Sequence, residues 1–142
     1  MEPSAPPQRE GKRVVDYAYV SGIARNVHRA LGGGLLENIY HKAIVLDLLS
    51  DGTHCECERV LPIHYRNTQI GTVRADIVLD GSMVVELKAI LSVKPEHLEQ
   101  VRRYGKLLHT ERLMLINFPS SPDKQLEIYT FHDGDFRKHA ST

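Results

Sequence analysis

Asp76, Glu86 and Lys88 are the residues whose types and spacing could do chemistry. They lie in the stretch RADIVLDGSMVVELKA, residues 74–89. Glu86 and Lys88 are two apart in an apolar run, and in a strand they share one face while Val85, Leu87 and Ala89 take the other. Charge inside so apolar a run is costly unless it is paired or bound to metal. Asp76 starts the preceding apolar run, and Asp80-Gly81 between the two runs is a turn signal, so the stretch reads as a hairpin. Two carboxylates and a lysine meeting at a sheet edge suit a divalent cation with a positioned water.

That chemistry requires Asp76 to face the same side as Glu86. A two-residue loop at Asp80-Gly81 pairs Asp76 with Val85, on the wrong face. A three-residue loop, Leu79 to Gly81, pairs it with Val84, on the right one. The spacing therefore predicts an odd-length loop or a compensating bulge.

The elements that must position these residues follow from periodicity. Tyr17, Val20, Ile23, Ala24, Val27 and Leu31 recur at helical spacing, and Gly32-Gly33-Gly34 ends that helix. A second helix is expected from about Leu35 to Leu49, ended by Asp51-Gly52. Strands follow: His54 to Tyr65, with Pro62 placing it at an edge or bulge; a turn at Arg66-Asn67; then Gln69 to Leu79 and Ser82 to Ala89. Pro95 to His109 reads as a helix with Leu98, Val101, Tyr104, Leu107 and Leu108 as its core stripe. Arg112 to Asn117 is a short buried strand, and Leu126 to Phe131 a last one. The order is α-α-β-β-β-α-β-β, a mixed α/β architecture with the sheet flanked by helices. Residues 1–13 read as a disordered arm, 14–133 as one domain, and 134–142 as a polar tail that frays.

With 142 residues, 42% of them hydrophobic and 25% charged, the chain can bury one core. Its formal net charge of zero argues against a broad basic surface for nucleic acid, though not against a local patch. No run is long and apolar enough to span a membrane, and MEPSAPPQREGKR has no signal core, so an intracellular site, cytoplasmic or nuclear, is expected. Cys55 and Cys57 read as reduced thiols. A zinc site would need more ligands, and although His54 and His64 are near, no second paired motif completes one.

The Asp76 then Glu86-Leu87-Lys88 pattern resembles the PD-(D/E)XK nuclease superfamily, whose restriction-endonuclease-like core has the element order expected here. Gly34-Leu35-Leu36-Glu37-Asn38-Ile39-Tyr40 is a GxxExxY motif, and the chain is similar to the GxxExxY branch of that superfamily. The RAD…VELKA block, Gln100 and Tyr104 on the next helix, and Asn117-Phe118 at a strand end extend the likeness over roughly residues 17–131. The resemblance implies a metal-dependent nuclease hydrolysing phosphodiester bonds. Asp76, Glu86 and the Leu87 carbonyl would hold Mg²⁺ or Mn²⁺, and Glu37 would be a further metal or water ligand. Lys88 would act on water or the phosphorane, and Gln100 would hold a water or phosphate. It implies nucleic acid as partner, DNA ahead of RNA, no membrane, and leaves room for a homodimer or larger assembly. The alternative is a non-catalytic nucleic-acid- or protein-binding module on the same fold. Beside these roles stand plainer ones. Tyr40 and Tyr104 read as packing residues, Tyr40 with its hydroxyl bonded to a neighbour, and His41 as a solvated histidine. Arg102, Arg103 and Lys106 read as phosphate contacts or a solvated helix face.

Overall fold

A computed structural model describes residues 14–139. The expected arm, 1–13, and the last three residues of the expected tail lie outside the described residues. Helix α1 (Tyr17–Leu31) begins at Asp16, whose carboxylate accepts from Tyr19 N–H at 2.9 Å, and buries Val20, Ile23, Ala24 and Val27. The glycine run turns the chain, with Gly32 at φ 74° and Gly34 at φ 88°, values that strain any residue with a Cβ. Helix α2 (Glu37–Ser50) starts two residues later than expected, because Leu36 is still extended. It turns Tyr40, Ile44 and Leu48 inward, one turn apart.

Strands β1 (Cys55–Tyr65), β2 (Thr68–Leu79) and β3 (Met83–Lys88) form an antiparallel meander. Helix α3 (Pro95–Leu108) crosses over to β4 (Arg112–Asn117), which pairs parallel with β3. Strands β5 (Glu127–His132) and β6 (Asp135–His139) complete a six-stranded sheet in the order β1 to β6. Pro62 lies on edge strand β1, where a missing N–H is tolerated, and the register shifts just after it, at Ile63/His64.

Alternation along the central strands splits the core into two layers. Ile77, Leu79, Val85, Leu87, Met114 and Ile116 pack against α1 and α2. Val78, Val84, Leu113 and Leu115 pack against Val101 and Tyr104 of α3. The α3 backbone seats close to β4. A Cβ on Gly105 would meet the Leu113 side chain at 2.7 Å and the Thr110 carbonyl at 2.8 Å.

Strand β6 corrects the sequence reading, which left 134–142 as a fraying tail. Asp133 (φ 49°) and Gly134 (φ 86°) make a two-residue hairpin turn, closing the pair His132–Asp135. Asp-Gly is the sequence such a turn favours, because both positions need positive φ. Arg102 holds this hairpin to α3: it donates to the Gly134 carbonyl at 2.8 Å and lies 5.1 Å over the Phe131 ring. It is therefore neither a solvated charge nor a free phosphate contact.

Candidate active site

The β2–β3 loop is three residues, Asp80 to Ser82, with Asp80 and Gly81 at positive φ. The odd length expected from the face argument is present, one residue further along than expected. Leu79 pairs with Met83 and Ile77 with Val85, so continuing the register sets Asp76 opposite Glu86 rather than Val84. The two carboxylates thus share a face directly across the hairpin. Beyond Ile77 the Asp76 side chain replaces the ladder: its Oδ2 accepts from Leu87 N–H at 2.9 Å. The strands can open there without leaving that donor unpaired. This point of β2 is irregular on its other side too, where Glu58 of β1 adopts φ 51° between the Cys57–Ile77 and Arg59–Ala75 pairs.

Glu86 is 3% exposed, and its Oε2 has no hydrogen-bond partner among the described residues. Burial pushes its carboxyl far above the ordinary glutamate range. Hydrogen bonding to Asp76 and repulsion from Asp76 and Glu37 add to the rise, and Lys88 opposes it. Glu37, on the first turn of α2, is exposed at its outer side. Its carboxyl is nonetheless raised, first by desolvation and then by Asp76, with Lys88 and His41 opposing. Glu37 on α2 and Glu86 on β3 are therefore both within the field of Asp76 and Lys88.

Lys88 Nζ donates to Gln100 Oε1 at 3.3 Å, tying the lysine to α3. Tyr104, one turn on, is 3% exposed; burial raises its hydroxyl, Glu86 and Asp76 add to the rise, and Gln100 opposes it. Tyr104 is thus buried in the α3 layer with Glu86 and Asp76 near its hydroxyl. His41 is half-buried with Nε2 3.3 Å from the Asp76 carbonyl oxygen, which corrects its reading as a solvated histidine. The Leu87 side chain is buried on the opposite face, so only its backbone can serve the site.

Asn117 and Phe118, which the sequence marks only through the family likeness, support the site by contacts it does not announce. Asn117, fully buried, accepts from Ile90 N–H at 2.9 Å and donates to Ile90 C=O at 3.1 Å, pinning the chain just past Lys88. Phe118 N–H donates to the Lys88 carbonyl at 2.9 Å and its ring stacks on Tyr40 at 4.1 Å. A strand-end Asn-Phe pair carries no pattern that announces either contact.

Among the described residues, no three His, Cys, Asp or Glu side chains converge tightly enough to hold a metal ion as they stand. The donor set still fits a hard cation. An orphaned buried carboxylate oxygen beside a second carboxylate is a place where positive charge is wanted, and Mg²⁺ commonly takes only one or two protein carboxylates, with waters and phosphate completing its shell.

Raised Glu86 has a sign that can be checked without substrate. Above the unfolded carboxylate value, about 4.3, the unfolded chain has lost a proton that folded Glu86 still holds. Stability should therefore fall as pH rises from there towards the folded value. Glu86→Gln should remove that slope and melt higher than the parent at neutral and alkaline pH in chelator. Melting temperatures that track each other across pH would refute the buried-acid account.

No curated protein and no solved structure matches the chain significantly. The profile of the PD-(D/E)XK nuclease superfamily matches residues 16–129, from the cap of α1 into β5 and across every site residue above. The chain belongs to the PD-(D/E)XK nuclease superfamily.

Proposed function

We propose that the protein is a metal-dependent nuclease of the GxxExxY branch, using Mg²⁺ or Mn²⁺ to hydrolyse phosphodiester bonds in nucleic acid, DNA ahead of RNA. The observation that carries this reading is the buried Glu86 carboxyl, its Oε2 unpartnered among the described residues, with Asp76 across the hairpin from it. A fold retains such a pair at a cost unless a ligand repays it.

In this reading Asp76, Glu86 and the Leu87 carbonyl hold the cation, and Glu37 contributes from α2 as a ligand to the ion or its water. When bound, the ion supplies Lewis acidity, lowering the pKa of the attacking water and offsetting phosphorane charge. The chain's own groups do the rest. The Leu87 N–H fixes one Asp76 oxygen, leaving the other for the site. Lys88, held near Gln100, sets a positive charge where the phosphoryl oxygens gain negative charge. Tyr104 closes the α3 side of the site, with its hydroxyl near Glu86.

The test is cleavage of labelled single-stranded DNA, duplex DNA and RNA with Mg²⁺ or Mn²⁺, beside Asp76→Ala. Cleavage by the parent, abolished in the variant and by chelator, is the expected result. Binding without cleavage by either protein would assign the fold to a nucleic-acid-binding module instead.

A further inference from the structure

Helix α2 is apolar on the side that its own fold does not use. Its inner stripe is Tyr40, Ile44 and Leu48, yet Leu36 is 73% exposed, Ile39 40%, Leu46 67% and Leu49 57%. A helix apolar all round is normally buried all round. A clustered set of large exposed apolar side chains marks an interaction surface. No described element of the chain covers these side chains. Residues 1–13 and 140–142 contain no Val, Ile, Leu or aromatic residue.

The outward stripe has a definite pattern. Leu36, Ile39, Leu46 and Ser50, with half-buried Ala43 between them at the edge of the core, recur at three and four, the seam spacing of paired helices. Lys42 flanks this seam on one side and Asp47 on the other. Five residues apart on a helix they point about 140° from each other and cannot pair within it. Neither has an ion-pair partner among the described residues.

We propose that this face pairs with a second copy of the chain, α2 against α2 in parallel about a two-fold axis. In that arrangement Lys42 meets the partner's Asp47, and Asp47 meets the partner's Lys42, giving two symmetric ion pairs beside the apolar seam. An antiparallel pairing sets the lysine flank against itself. Leu49, on the lysine flank, is then set against the second copy's shallow groove between α1 and α2, which Gly22, Asn26, Asp47 and Ser50 line. Parallel pairing also puts both α2 N-termini, and so both Glu37 carboxylates, at one end of the dimer. That last consequence, two sites opening on one side towards one nucleic acid, rests on the nuclease reading. The dimer does not.

Sedimentation equilibrium of the full chain, without metal or nucleic acid, keeps the two apart. The parent is expected to dimerise with rising concentration. Leu46→Glu should be monomeric with an unchanged helical spectrum, because Leu46 is exposed in the single copy. Lys42→Asp and Asp47→Lys should each weaken the dimer about tenfold or more, by creating like-charge contacts twice per dimer. The double swap should recover most of the parent affinity. A parent that stays monomeric at its solubility limit overturns the proposal, and so does a double swap that dimerises no better than the single variants.

Discussion

Lys88→Ala is expected to slow single-turnover cleavage by roughly 10²–10³-fold, the scale of losing one charge-stabilising group. Folding and nucleic-acid binding should be retained. Lys88 shares a face with Glu86 and ends β3, where the Phe118 N–H holds its carbonyl and the Asn117 amide holds Ile90 two residues on. Its position is set by the fold, so removing its side chain leaves the scaffold in place. Its charge acts most as negative charge grows on the phosphoryl oxygens, so turnover should fall with little change in binding. Mg²⁺ affinity should hold or rise, because Lys88 is a positive charge beside the carboxylates and lowers both Glu86 and Glu37. A binding isotherm set beside single-turnover rates separates the two effects. Cleavage at the parent rate by Lys88→Ala would remove the lysine from the mechanism, and a loss confined to affinity would make it a phosphate contact.

How the hairpin presents this lysine was largely legible in the sequence, because strand alternation is strict. Once Asp76, Glu86 and Lys88 had to share a face, only an odd loop would serve, and the loop is odd. Where it falls was not legible. Asp80 and Gly81 both accept positive φ, and the turn could begin at either Leu79 or Asp80 without changing the face. Helix α2 shows a different limit. Periodicity identified it, but its apolar residues run round the whole circumference, so the pattern alone does not say that Tyr40, Ile44 and Leu48 turn in while Leu36 and Leu46 turn out. Strand β6 was readable in principle from Asp133-Gly134, but Asp135, Arg137 and Lys138 make its composition look solvated. Its stability comes from Phe136 against Phe131 and from Arg102, contacts that exist only after α3 and β5 have folded. The same holds for Asn117 and His41, whose partners are 27 and 35 residues away in sequence.

The Tyr40–Phe118 stack is where the largest loss of stability is expected. Both rings are fully buried, 4.1 Å apart and within 5° of parallel, joining α2 to the end of β4. Phe118→Ala should cost about 3–5 kcal/mol, from lost burial and the cavity left behind. For a domain of this size that lowers the melting temperature by roughly 10–20 °C. Tyr40→Phe tests a finer point. It keeps the ring but removes a hydroxyl that donates to Gly32 C=O at 2.6 Å and accepts from Leu35 N–H at 3.2 Å. Those bonds close the glycine turn that delivers the chain into Glu37, so the expected cost is smaller, about 1–3 kcal/mol for groups left unpaired. What distinguishes it is the response to metal. If Glu37 contributes to the ion, loosening its approach should shrink the Mg²⁺-induced rise in melting temperature, whereas Phe118→Leu, which keeps the hydroxyl's bonds and most of the packing, should leave more of that rise intact. Equal metal-induced shifts in Tyr40→Phe and the parent would show that Glu37 stands outside the metal's reach, and would leave Asp76 and Glu86 to hold it alone.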